Sequence, residues 1–231
     1  MAAPSLTDFF NSALLFQGLP SKVWQRASQR LVIRQHRAGV TLLLEQDWGD
    51  SVYLLMQGWV KVQTRSREGR EIILNILGPG NLFGEMASLE ASPRASDVVA
   101  LTPVTVGILP AEDFGKLITT EPLIGFRLAQ LLVKRIQQLN RRLQVRESDS
   151  SARLADVLLF LAEGQGQVQE SGVVIPQLPH RELGNLCGLS RETVTRVLKK
   201  FEQEGLLVRS DPDHFCIPNR RRLEAVVAGY R

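Results

Sequence analysis

The sequence predicts an α+β protein, and three observations carry that prediction. Residues 30 to 110 hold short, closely spaced apolar runs separated by turn signals. Residues 121 to 146 instead repeat their apolar positions at steps of three and four, and residues 180 to 201 read as two short helices joined across a glycine. A period of two followed by a period near 3.6 places strands first and helices after. At 231 residues the chain suits one large or two modest domains. The expected divisions are 1–120, 121–146 and 147–231.

In chain order, the apolar runs are Val40 to Leu44, Val52 to Met56, Trp59 to Val62, Ile72 to Leu77, Val98 to Ala100 and Val104 to Leu109. Gln57-Gly58, Glu68-Gly69, Gly78-Pro79-Gly80 and Thr102-Pro103 stand between them. Short strands at this spacing predict an antiparallel barrel or jelly-roll-like β-roll of about 80 residues. Leu128, Leu132, Ile136, Leu139 and Leu143 then mark one stripe of a long helix, with Lys134, Arg135, Arg141 and Arg142 between them. That stripe has two available partners, the chain's own barrel or a symmetric copy forming a two-stranded coiled coil. A homodimer is the expectation. Glu147 to Ser151 is a polar break and a candidate hinge. Beyond it a helix is predicted over 152–163, ended by Gly164-Gln165-Gly166, then a short strand at Val173-Val174-Ile175 and a final hairpin around Asp211-Pro212-Asp213.

Composition excludes several classes. With 44% hydrophobic and 23% charged residues, the chain is neither disordered nor collagen-like. No stretch approaches the roughly 20 apolar residues that cross a bilayer, and Met1 to Phe10 lacks the basic start of a secretory signal. Two cysteines, Cys187 and Cys216, are too few for a disulfide scaffold or a four-thiolate cluster. A reduced, cytoplasmic protein without membrane attachment is expected. No Walker loop, metal-ligand cluster or nucleophile–base–acid set is visible, so no catalytic or metal-binding residue is assigned and no enzyme is expected. The net charge of +4 is compatible with nucleic acid without requiring it.

The strongest motif runs from His180 to Phe201. Leu183 and Leu186 face inward on a short helix that stops at Gly188, a residue free to adopt the positive φ of a tight interhelical turn. Ser190 is a good N-cap for the next helix. At about 100° per residue, Val194, Val197, Leu198 and Phe201 share one side, and Arg191, Glu192, Thr195, Arg196 and Lys199 share the other. Such a helix buries its apolar stripe and presents two arginines and a carboxylate to the major groove of double-stranded DNA. Arginine pairs bidentately with guanine, and glutamate accepts from cytosine N4. Lys199 and Lys200 suit phosphates, which position without specifying. The hairpin from Leu206 to Pro218 completes a winged helix-turn-helix, with Arg209 and His214 as candidate backbone contacts. Arg220-Arg221-Arg222 forms a second basic run.

A second motif spans Phe83 to Ser96. Gly84 starts a helical turn whose free backbone N–H groups can receive a phosphate. Arg94, nine residues after Glu85, can return across that turn to the same phosphate. Glu85 is suited to accept from a ribose hydroxyl; Ala95 and Ser96 allow close approach, and Ser96 can donate. The same spacing also suits a plain Glu85–Arg94 salt bridge.

Ser190-Arg191-Glu192-Thr193-Val194-Thr195-Arg196-Val197-Leu198 resembles the recognition helix of the cAMP receptor protein (CRP/FNR) family of bacterial transcription regulators. The similarity extends over almost the whole chain in the order roll, long helix, winged helix. It implies a cyclic-nucleotide-binding β-roll, a dimerisation helix and a DNA-binding domain. By that resemblance, Arg191, Glu192 and Arg196 read GTGA/TCAC-type half-sites, Glu85 takes the ribose 2′-hydroxyl, and Arg94 with the Gly84–Met86–Ala87 backbone takes the cyclic phosphate. RNA polymerase is the further partner it implies, and the implied effector is cAMP. One departure stands out. Where the family places a Thr-Ser pair against adenine, this chain has Gln138-Leu139-Asn140, so Gln138 and Asn140 are the candidate base contacts and cyclic di-GMP stays open as effector. The cysteines of the oxygen-sensing relatives are missing. Rival readings are a constitutive DNA binder with a vestigial pocket and a nucleotide-sensing regulatory subunit acting on a protein partner. Arg191, Glu192 and Arg196 together argue against the latter.

Overall fold

The computed structural model describes residues 6–69 and 71–229; residues 1–5, part of the stretch read for a secretory signal, lie outside the described residues. The first elements are α1 (Leu6–Ser12), α2 (Ser21–Arg30), β1 (Val32–His36), β2 (Thr41–Leu43), β3 (Ser51–Gln57), β4 (Val60–Arg65), β5 (Glu71–Leu77) and β6 (Leu82–Phe83). There follow α3 (Glu85–Glu90), β7 (Asp97–Ala100), β8 (Val104–Pro110), α4 (Ala111–Thr120) and α5 (Pro122–Val145). The remainder is α6 (Ser150–Gln165), β9 (Gln167–Gln169), β10 (Gly172–Pro176), α7 (His180–Cys187), α8 (Arg191–Gln203), β11 (Val208–Asp211), β12 (His214–Ile217) and α9 (Arg220–Ala228). Two compact units result, one of residues 1–64 and 75–134, the other of residues 65–74 and 135–231. The class is α+β, as the sequence predicts.

Two four-stranded sheets, ordered β1-β8-β3-β6 and β2-β7-β4-β5, form the roll. Leu43, Leu55, Val60, Phe83, Val98, Val104 and Val106 come from both sheets into one buried cluster. A second cluster joins Val52, Leu54 and Met56 of β3 to Phe9, Phe10, Val23, Phe114, Ile124 and Leu128 of the helices and to Phe16 between α1 and α2. Alternate residues of β3 therefore serve two cores. That is why Val52 to Met56 is apolar without interruption, since a strand covered on both faces has no polar side to show. Each such side chain contributes about 1.5–3 kcal/mol by leaving water.

Some elements escaped the sequence pattern. β1 is largely exposed, pairs only with β8, and carries no alternation. β6 has two residues. α1, α2 and α4 pack their aromatic and aliphatic residues on the roll, and α9 occupies the basic run at Arg220.

The long helix lies at 122–145, against an expectation of 121–146, with Pro122 at its first position, where a missing N–H costs nothing. Its predicted stripe divides. Leu128 is buried in the first unit's own core, and Leu132 packs against that core. The exposed apolar side chains are instead Phe126 (60%), Val133 (52%), Ile136 (57%) and Leu143 (64%), with Leu139 less open. These four keep a seven-residue rhythm, Phe126 to Val133 and Ile136 to Leu143.

In the second unit Asp149 caps α6, its Oδ1 accepting from Ala152 N–H at 2.8 Å. α6 is buried on nearly every side and begins and ends beyond the predicted 152–163. Buried Asp156 projects from it to within 2.7 Å of Arg141 Nε, a charge contact without hydrogen-bond alignment. Arg141 Nη1 donates to Glu163 at 2.9 Å, Arg220 Nη2 reaches the same carboxylate at 2.7 Å, and Arg142 lies 4.5 Å above the Phe160 ring. Burial pushes the Asp156 carboxyl up despite the pull of both neighbouring arginines. The wing joins a sheet of order β11-β12-β10-β9, and Asp211 Oδ1 accepts from Asp213 N–H across the predicted hairpin turn.

Candidate effector site and nucleic-acid interface

Gly84 has φ 80° and starts α3, and Ala91 ends it in the left-handed region at φ 51°. Arg94, 4% exposed, lies against this turn. Its Nη1 donates to Gly84 O at 2.7 Å and its Nη2 to Ser51 O at 2.9 Å. The arginine's backbone is fixed as well, with Arg94 N–H donating to Asp47 O and Gln46 N–H donating to Arg94 O, each at 2.8 Å. Two glycines make room: a Cβ on Gly84 would stand 2.8 Å from Nη1, and one on Gly49 would collide with Nη2. No carboxylate among the described residues forms an ion pair with Arg94, so the alternative Glu85–Arg94 bridge is not what the structure contains. A buried guanidinium held by neutral carbonyls is poorly compensated.

Around it, Glu85 and Ala87 are buried, Met86 and Ala95 are exposed, and Ser96 is half-buried. Ser88, which the sequence did not single out, donates to Gly84 O at 3.1 Å. On α5, Gln138 is turned inward at 8% exposure, and Asn140 faces solvent.

The helix pair α7–α8 follows its sequence pattern closely. Gly188 has φ 64°, and Ser190 Oγ accepts from Thr193 N–H at 3.2 Å. Leu183, Leu186, Val194, Val197, Leu198 and Phe201 are buried. Ser190, Arg191, Glu192, Thr195, Arg196, Lys199 and Lys200 are exposed. The side chains of Arg191, Arg196 and Lys199 have no ion-pair partner among the described residues, and Lys200 Nζ lies 4.0 Å from Glu204 Oε1. The backbone N–H of Glu192 and the Ser190 hydroxyl hold the Glu192 carboxyl below its ordinary value. It is an anion ready to accept.

Two supports were not foreseen. A Cβ on Gly184 would stand 2.6 Å from Leu189 O, so only glycine lets the turn close this tightly. Arg153 of α6 donates from Nε to Cys187 O at 2.9 Å and from Nη2 to Gly188 O at 2.7 Å, closing the carbonyl end of α7. A glycine in the middle of a short helix was the available signal for the first. The second joins residues too distant in sequence to leave one. On the wing, Arg209 Nε lies 3.2 Å from Glu202 Oε1, and His214 Nδ1 lies 2.9 Å from Asp211 Oδ1. Burial pushes the Cys187 thiol up to about 11, which disfavours the reactive thiolate. Among the described residues there is no cluster of His, Cys, Asp and Glu able to hold a metal ion, and no helix long and apolar enough to cross a membrane.

A roll with a buried arginine at its helical turn, combined in one chain with a helix pair whose basic face is exposed, defines the class of DNA-binding regulators that carry a ligand-binding roll. Comparison with known proteins agrees. Residues 33–121 match the cyclic nucleotide-binding domain family, and residues 152–226 match the Crp-like helix-turn-helix domain family. The CRP-like cAMP-activated global transcriptional regulator of Mycobacterium tuberculosis is 31% identical over 94% of this chain and 98% of its own. The cyclic AMP receptor protein of Thermus thermophilus is 33% identical over 93% and 97%. Among solved structures, the c-di-GMP responsive global regulator CLP of Xanthomonas campestris has the same fold, with a TM-score of 0.68 at 22% identity over 87% of this chain and 100% of that one. The chain belongs to the cAMP receptor protein (CRP/FNR) family of transcription regulators.

Proposed function

We propose that the chain acts as a homodimer whose grip on a palindromic GTGA/TCAC-type duplex is controlled by a cyclic nucleotide, cAMP first, seated on Arg94. The observation that carries this reading is Arg94 itself, buried, donating to two neutral carbonyls and paired with no carboxylate among the described residues. In this reading a cyclic phosphate takes the guanidinium, the α3 amides from Gly84 to Ala87 assist, and Glu85 accepts from the ribose. Ala95 and Ser96 line the approach. Gln138 and Asn140 remain the candidate base contacts, and only Asn140 faces solvent. The exposed rhythm of Phe126, Val133, Ile136 and Leu143 supports pairing of α5 with its copy.

The ligand shifts DNA affinity only by binding one arrangement of the DNA-binding domains more tightly than another. Two recognition helices about 34 Å apart then match half-sites one duplex turn apart. Arg191, Glu192 and Arg196 contact bases, and Ser190, Thr195, Lys199 and Lys200 contact the backbone. RNA polymerase is the partner such a complex meets at a promoter.

Isothermal titration with cAMP, cGMP and cyclic di-GMP tests the pocket. The expected result is saturable binding of cAMP to the wild type and its loss in Arg94→Leu. Preference for cyclic di-GMP would change the effector and keep the pocket. Unchanged affinity in Arg94→Leu would reject the pocket.

A further inference from the structure

His180 opens α7 half-buried, and its Nδ1 lies 2.7 Å from Thr195 Oγ1 on the exposed side of α8. The threonine hydroxyl has one proton, and it is donated to Arg191 O at 2.9 Å. With that proton so placed, the oxygen accepts from Nδ1–H and Nε2 of the neutral ring is a lone pair; once the ring is protonated both nitrogens donate. Nε2 has no partner among the described residues. The charged groups around the ring are Arg191 and Glu202 of α8 and Arg209 of β11. Burial, then Arg209 and Arg191, hold the ring below the ordinary histidine value, and Glu202 opposes them. Glu202 is itself engaged by Arg209 at 3.2 Å. Pro179 provides no side-chain cap for α7, which leaves first-turn amides beside the same spot. The ring thus lies beside arginines and the uncapped first turn of α7, a setting that favours an anion.

We propose that His180, with Arg209 of the wing, forms a proton-dependent clamp for a backbone phosphate of the duplex. The proposal rests on the DNA-binding reading above and adds a pH response to it. Against a neutral ring, a phosphate oxygen meets the Nε2 lone pair and is repelled. When the ring takes one proton from solvent, Nε2–H becomes a donor and the imidazolium adds a charge. The phosphate favours the protonated ring, so docking takes up a proton and affinity rises as pH falls. Because a phosphate contact carries no sequence information, the response is the same on specific and random duplexes.

Fluorescence anisotropy of a labelled GTGA/TCAC palindrome, with the full-length protein and cAMP, cGMP or cyclic di-GMP present, tests this between about pH 5.5 and 7.5, where histidine titrates. Wild type is expected to tighten as pH falls, by up to about tenfold per pH unit for each subunit. His180→Gln should be flat. His180→Arg should be flat yet tight at the alkaline end, a rescue that a packing role would not produce. His36→Gln, in β1 of the other unit, should keep the wild-type slope. Persistence of that slope in His180→Gln would overturn the clamp, and so would pH-indifferent binding by wild type. Failure to bind the palindrome at any pH would instead overturn the DNA-binding reading beneath it.

Discussion

Arg94 and Arg191 are both candidate ligands for a nucleotide, one free and one within a duplex, yet the chain builds them in opposite ways. Arg94 is 4% exposed, and its guanidinium is fixed to Gly84 O and Ser51 O. Arg191 stands in solvent at the first turn of α8, its side chain without an ion-pair partner among the described residues. In the first case the fold has already met the cost of ordering and burying the charge, so an incoming anion finds a preorganised cation. In the second the side chain keeps its rotamers until docking, and that ordering is subtracted from affinity. A buried arginine suits a small ligand that must be gripped by few atoms. An exposed one suits a large surface where many contacts share the load.

The sharpest way to break the contrast is Arg94→Leu. Two charge-assisted hydrogen bonds are at stake, so nucleotide affinity should fall by about 3–6 kcal/mol in titration calorimetry. Melting temperature should move little, since an uncompensated buried charge leaves with the side chain. A buried charge with partners behaves differently, as Asp156→Ala should show. That change takes the carboxylate from beside Arg142, leaves Arg141 with Glu163 alone, and should cost about 3–5 kcal/mol in urea unfolding. Next comes Gly184→Ala, where the new methyl meets Leu189 O; a loss of about 1–3 kcal/mol in stability is expected from overpacking. On the exposed side, Arg191→Ala should weaken the specific site by about 1–3 kcal/mol and leave random DNA almost unaffected. Lys199→Ala should have the smallest effect, weakening all duplexes alike and lowering the salt slope by about 1.

The same contrast explains what could be read from the chain alone. The α8 face obeys a local rule, since every fourth or third residue shares a side, and the buried set Val194, Val197, Leu198 and Phe201 follows from arithmetic. The Arg94 site depends on three distant segments, at Gly49–Ser51, Gly84 and Arg94, brought together by strand pairing. Its residues showed as a motif, but the carbonyls that hold the guanidinium did not. β1 was silent because an exposed edge strand needs no alternation. The division of the α5 stripe was also invisible, because periodicity does not distinguish Leu128, covered by its own roll, from Ile136, left open. Gln138 and Asn140 are two residues apart and meet opposite surroundings for the same reason.

Linkage between the pocket and the duplex is the core of this account, and one binding curve measures it: affinity for the palindrome with and without saturating cAMP, in wild type and in Arg94→Leu. The nucleotide should tighten wild-type binding by at least about tenfold, a coupling of roughly 1.4 kcal/mol, and should do nothing to the variant. Identical curves for wild type in the presence and absence of cAMP, cGMP and cyclic di-GMP would contradict it.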